Sequence, residues 1–175
     1  IPYFINFTIC SIQRAADIAD KAFEHIVKFI KYGMTEREIG LELEFYMKKL
    51  GAKELSFPSI VASGTRSSLP HGEATDKVVN KGEFLTLDFG CIFDEYCSDM
   101  TRTVVIGEPT QKMLKIYNIV FEAQQLALKE YKPGISAAYV DSIARSHIES
   151  FASKAWPITL LILCAPVWLR SSRFK

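Results

Sequence analysis

A charge excess, a C-x-x-C pair, a secretory leader and a membrane-length apolar run are all missing from this sequence of 175 residues. Lys and Arg number 21 against 20 Asp and Glu, a net charge of +1, so no electrostatic nucleic-acid surface is expected. Hydrophobic residues make up 49% of the chain, too many for a disordered segment. The four cysteines, Cys10, Cys91, Cys97 and Cys164, lack metal-finger or redox spacing and read as reduced thiols, which points to a cytoplasmic setting. Ile1 to Cys10 has no basic start of a signal peptide and no clear periodicity. Trp156 to Leu169 is apolar, but Pro157 and Pro166 interrupt it and it is shorter than the roughly 20 residues a membrane helix needs, so no membrane partner is expected. The length suits one domain with a substantial core.

Helical spacing is present from Ser11, where Ile12, Ala15, Ala16, Ala19, Phe23, Ile26, Val27 and Ile30 recur every three or four residues. The pattern stops at Tyr32-Gly33. Thr35 with Glu38 forms a capping box that opens a second helix through Ile39, Leu43, Tyr46, Met47 and Leu50. Thr110 caps a third, with Met113, Ile116, Tyr117, Val120, Phe121, Gln124, Leu126 and Leu128 near its buried stripe, and Ser136 caps a fourth running to Phe151. Helix, Gly33-Met-Thr35, helix is echoed by helix, Gly134-Ile-Ser136, helix, which suggests two related half-domains. His25 and His147 fall at helical spacing beside apolar residues and read as packed side chains.

Between the helix pairs lie two β-rich runs, Phe84 to Ile92 and Tyr96 to Ile106, joined by a turn near Phe93-Asp94. A two-residue turn there pairs 92 with 95 and sets Asp88 opposite Asp99, and Thr86 opposite Thr101 on the same face. Opposed carboxylates repel unless something neutralises them, and a cation is the obvious candidate, with the two hydroxyls orienting the carboxylates. The alternatives are a hairpin whose aspartates face water, or a register slip that separates them. Cys97 shares the Asp88 face and reads as a small buried hydrophobe. Upstream, the segment from Ser56 begins as a short strand and becomes a Gly/Ser/Pro loop, in which His71 sits between Pro70 and Gly72. A loop histidine is commonly surface decoration. His71 gains weight by preceding the paired aspartates closely enough to share a cleft.

Leu69-Pro-His-Gly-Glu73, Leu87-Asp-Phe-Gly-Cys91 and Cys97-Ser-Asp-Met-Thr-Arg-Thr103 resemble motifs of the pita-bread metallopeptidases, the family of methionine aminopeptidases, aminopeptidase P and proline dipeptidases. The last motif is closer to the Xaa-Pro branch. The resemblance covers residues about 12–151 and implies an α+β pita-bread (creatinase/aminopeptidase) fold, an antiparallel sheet with helices on one face, incomplete here. It also implies two divalent metal ions, manganese, cobalt or zinc, activating a water against a peptide carbonyl. Asp88 and Asp99 would be metal ligands, His71 a catalytic contact to substrate or transition state, and Thr86 and Thr101 supporting hydroxyls. The substrate would be a peptide with proline near the scissile bond; a creatine-hydrolysing relative is a weaker option.

The family pattern also needs a histidine in a His-Gly-x-Gly-like motif and two later glutamates, and none is found here. The expected organisation is therefore an unassigned edge at 1–11, a partial peptidase domain at 12–151 and an aberrant apolar tail at 152–175, read as an out-of-frame extension in preference to a natural terminal segment packing on the helices. Lys154 to Cys164 can be reread in another frame as a segment resembling the family's approach to its histidine motif. On this reading the chain is not a competent peptidase as written; the alternative is a non-catalytic pita-bread module that binds peptides or proteins. Missing second-half strands would leave a sheet edge and an apolar face uncovered, so homo-oligomerisation or aggregation is expected.

Overall fold

The first helix, expected to begin at Ser11, begins at Pro2 in a computed structural model that describes residues 2–151. Proline is well tolerated in a first helical turn, where its missing N–H would have had no partner. Phe7 and Ile9 are exposed, so the described side chains from Phe7 to Cys10 carry no apolar stripe that periodicity could reveal. It is held instead by polar contacts to a β-turn: Thr8 Oγ1 lies 2.9 Å from the Tyr96 hydroxyl, and Ser11 Oγ donates to Asp94 at 3.5 Å. Helix α1 thus spans Pro2–Phe29 and α2 spans Glu36–Lys49. The expected capping box opens α2: Thr35 accepts from the Glu38 N–H while the Glu38 carboxylate accepts from the Thr35 N–H at 2.7 Å.

Six strands follow: β1 (Glu54–Leu55), β2 (Ile60–Ser63), β3 (Phe84–Phe89), β4 (Cys91–Phe93), β5 (Tyr96–Cys97) and β6 (Met100–Val105). They form two antiparallel sheets, β1-β4-β5 and β2-β3-β6, where the sequence suggested one long hairpin. Strand β3 alternates cleanly, with Leu85, Leu87 and Phe89 fully buried and Thr86 and Asp88 on the other face. The buried face packs on Ile18, Ala22 and Ile26 of α1 and Ile39, Leu43 and Met47 of α2. Each such large apolar side chain contributes about 1.5–3 kcal/mol on burial. The apolar face expected to lie open is therefore covered by helices among the described residues, and the opposite face carries Thr86, Asp88, Thr101 and Thr103.

The turn is not at Phe93-Asp94. It is Asp94-Glu95, both with positive φ of 46° and 66°, as a two-residue turn between twisted strands requires. Aspartate enters that region far more readily than a bulky phenylalanine, which is why the turn sits one position later. Phe93 then faces Tyr96, and the same register runs through both sheets. Asp88 consequently pairs with Thr101, and Thr86 with Thr103. The shift is two residues, so every side chain keeps its face. Cys97 is exposed; the buried thiol is Cys91, whose Sγ lies 3.6 Å from the Ala15 carbonyl.

The described residues divide into two compact units, one ending at Glu108 and the other beginning at Pro109. In the second, α3 (Gln111–Glu130) and α4 (Ala137–Phe151) pack through Ile119, Ala123, Ala144 and Ile148. Thr110 and Ser136 cap these helices as expected, accepting from Met113 N and Tyr139 N. The stripe expected on α3 is corrected, since Tyr117, Phe121 and Leu126 are exposed. Gly33 and Gly134 both take left-handed backbone at the two helix–helix turns, with φ of 93° and 89°, so the repeated motif has repeated local geometry. His25 packs as expected, stacked on Tyr46 at 3.8 Å with Nε2 2.6 Å from Glu42. His147 lies against Phe151, 3.3 Å from Glu122. The tail at 152–175 lies outside the described residues. No helix among the described residues is long and apolar enough to cross a membrane.

Candidate metal centre

Asp88 projects from near the C-terminal end of β3 onto the face away from the core and is half-buried. Its cross-strand partner Thr101 donates a hydroxyl to Asp88 Oδ1 at 2.8 Å. Thr101 therefore orients this carboxylate, though from directly opposite it. Thr86 does not share that role: its hydroxyl points toward the Ser67 carbonyl at 3.4 Å.

Asp99 is not in the ladder. It stands in the break between β5 and β6, where the strand pairing changes partners. Ser98 makes this break. Its hydroxyl, not a backbone carbonyl, accepts from Cys91 N at 3.0 Å, and its own carbonyl accepts from Ser56 Oγ at 2.7 Å. Across from it, Gly90 allows the close approach, because a Cβ there would lie 1.9 Å from the Ser98 carbonyl oxygen. The exposed Asp99 carboxylate is thereby delivered within electrostatic reach of Asp88.

Both carboxyls are pushed above the usual aspartate range. For Asp88 the main cause is burial, partly offset by the Thr101 hydroxyl and by the nearby His71. For Asp99 it is partial burial and then the Asp88 charge. His71 itself is exposed, in the turn after a short 3₁₀ helix at Gly64–Ser68. Gly72 beside it is buried, so close to β2 that a Cβ would meet Ala62 Cβ at 2.9 Å, and Glu73 bridges to Ile60. The structure thus places Asp88 within electrostatic reach of both His71 and Asp99, and leaves Thr86 on the same face without a hydrogen bond to either carboxylate.

Sequence reasoning missed Glu36. It is fully buried, and its two oxygens accept from Ser63 N and Oγ, Thr75 N and Oγ1, and Arg66 Nε. A signal existed: Glu36 precedes Ile39, Leu43 and Met47 at the spacing of the buried stripe of α2.

As a cation site the donor set is half complete. Two neighbouring carboxylates, one of them raised by the charge of the other, suit a divalent ion, but no group of three His, Cys, Asp or Glu side chains among the described residues is placed to hold one.

Residues 10–159 match the model of metallopeptidase family M24. The chain is 50% identical over 137 residues to the peptidase YqhT of Bacillus subtilis, covering 78% of this chain and 39% of that protein. It is 45% identical over 140 residues to the Xaa-Pro dipeptidase of Pyrococcus horikoshii, covering 80% and 40%. Among solved structures, the X-Pro aminopeptidase of Thermotoga maritima superposes with a TM-score of 0.80 at 46% identity, over 82% of this chain and 41% of that one. The Xaa-Pro dipeptidase of Bacillus anthracis gives 0.79 at 50%, over 82% and 40%. The α+β fold is thus part of the pita-bread fold, and the chain spans about two fifths of the length of the curated relatives it matches.

Proposed function

The chain belongs to metallopeptidase family M24, and on that premise we propose that Asp88, Asp99 and His71 form one half of a metal-dependent peptidase site. The observation that carries the reading is the raised, mutually repelling pair Asp88–Asp99, one of whose carboxylates is already oriented by Thr101. Side chains so placed would hold a divalent cation, manganese, cobalt or zinc, through Asp88 and Asp99. When bound in a complete site, such an ion supplies an activated water and polarises a peptide carbonyl. The residues at hand do part of that work. Thr101 fixes the Asp88 rotamer, β3 and its buried face hold the backbone rigid, and His71 presents a proton donor or acceptor beside the pair.

Three of these relatives are named for Xaa-Pro substrates, which supports a peptide with proline next to the scissile bond as the ligand of this face. With two carboxylates and no third ligand among the described residues, metal binding is weak and the chain as written does not turn over peptides. That same shortage favours the second reading, a peptide-binding module without catalysis.

Manganese calorimetry on the full chain and on Asp88→Asn tests this. Weak saturable binding, lost in the variant, supports the half-site. No binding at millimolar metal overturns the metal role, and Xaa-Pro peptide turnover by the manganese-loaded chain overturns the inactivity.

A further inference from the structure

Glu36 is the one fully buried carboxylate among the described residues, and neither the metal pair nor the helix cap uses it. It sits in the first turn of α2, where the helix dipole favours an anion. Its donors come from both sides of the His71 segment. Oε1 takes Ser63 N at 2.7 Å and Ser63 Oγ at 2.9 Å, just before the segment; Oε2 takes Thr75 N at 3.2 Å and Thr75 Oγ1 at 2.7 Å, just after it. Arg66 donates to Oε2 at 3.1 Å and, through its second arm, to the Glu73 carbonyl at 2.7 Å. Lys77 secures the arrangement from outside, donating to Ser63 Oγ at 2.7 Å and pairing with Glu83 at 2.8 Å.

We infer that Glu36 is a positioning residue, whose buried carboxylate gathers both ends of the segment 63–75 and so holds His71 beside Asp88. The inference rests on the reading that His71 and Asp88 belong to one site. Its chemistry is specific to a carboxylate. All five contacts are donors, so an amide in place of the carboxylate turns one acceptor oxygen into a donor that faces other donors. One end of the segment is then released whichever way the amide lies. Burial alone would raise the Glu36 carboxyl, but the hydrogen bonds from Thr75 and Ser63 outweigh it and hold the group below its usual range, as a clamp that works in its ionised form must be.

The test is a double-mutant cycle read by NMR on the full chain, with ring-labelled histidine, without metal and at one neutral pH. In the native background, Asp88→Asn moves the His71 ring resonance; in the Glu36→Gln background that movement is largely lost. The stacked His25 and the α4 residue His147 report whether the fold persists. An equal Asp88→Asn effect in both backgrounds overturns the positioning role, whatever Glu36→Gln does to stability. No Asp88→Asn effect on His71 in the native background sinks the shared-site reading and the positioning role with it, a distinct result. If Glu36→Gln does not fold, Thr75→Val and Ser63→Ala each remove the hydroxyl of one arm while leaving its backbone N–H and the charge, and the coupling must fall in at least one of them.

Discussion

Glu36 and the Asp88–Asp99 pair are the same functional group in opposite states of satisfaction. Glu36 has no exposed surface and five donors, and its pKa is lowered in spite of burial. Asp88 keeps partial access to water, takes one hydroxyl from Thr101 and faces a second carboxylate; both members of the pair are raised. Depth does not mark the functional carboxylate here. Supply of donors does: a carboxylate with every lone pair matched fixes structure, and a pair short of positive partners marks where a cation or proton would be held.

The sharpest way to break this contrast is to remove the satisfied member. Glu36→Ala leaves Arg66 and the Ser63 and Thr75 N–H groups without their acceptor, and stability should fall by about 3–5 kcal/mol, read from denaturant unfolding. A loss under about 1 kcal/mol would put Glu36 on the same footing as a surface charge. The pH dependence has a definite sign. Because the folded Glu36 pKa lies below its unfolded value, the unfolded state binds the extra proton; the stabilisation is complete above the ordinary glutamate range and drains away as pH falls through the folded pKa. Urea midpoints measured down the acid limb should show that slope in the native chain and lose it in Glu36→Gln.

A smaller effect probes how the unsatisfied pair is assembled. Gly90→Ala places a methyl where the Ser98 carbonyl lies, so the β3–β4 junction must open, at a cost of about 1–3 kcal/mol. The displacement should also weaken any coupling between Asp88 and Asp99, visible as a smaller change in Asp88 carboxyl shift upon Asp99→Asn. An unperturbed midpoint and coupling would show that the close approach does not set the site.

Much of this was legible in residues whose physics is local. Thr35 and Glu38 announce a cap because both bonds form within one turn, and the alternation through Leu85, Leu87 and Phe89 announces a core face because a strand has period two. The faces of Asp88 and Thr101 survived a misplaced turn for the same reason, since an error of two residues preserves parity. What was not legible depends on contacts distant in the chain. Asp99 owes its place to Ser98 bonding Cys91 and Ser56, which no periodicity encodes. Glu36 reads as an ordinary helix-start acid until Ser63, Arg66 and Thr75 are brought around it, although its position on the α2 stripe gave a hint. The early part of α1 is tied to the β-turn by the Thr8 and Ser11 hydroxyls, through contacts to Tyr96 and Asp94 that no periodicity encodes.

The smallest effect is the most diagnostic. Asp99→Asn removes one of two like charges, and because Asp99 is exposed the gain is screened to a few tenths of a kcal/mol in the metal-free chain. The sign follows from linkage. Both folded pKa values lie above the ordinary aspartate value, so the native state holds the extra protons and stability declines as pH rises out of the carboxylate range; removing one charge flattens that decline. Added salt should narrow the difference between the native chain and the variant, as expected for a screened repulsion. Added manganese should reverse the ranking, since a ligand stabilises only a fold that binds it, and the intact pair binds better than a single carboxylate. Thermal unfolding of both proteins with and without manganese therefore separates two ideas. A crossing of the two midpoints identifies the repulsion as one that a cation relieves, whereas a variant less stable than the native chain under both conditions would mean that Asp99 is a structural acid like Glu36.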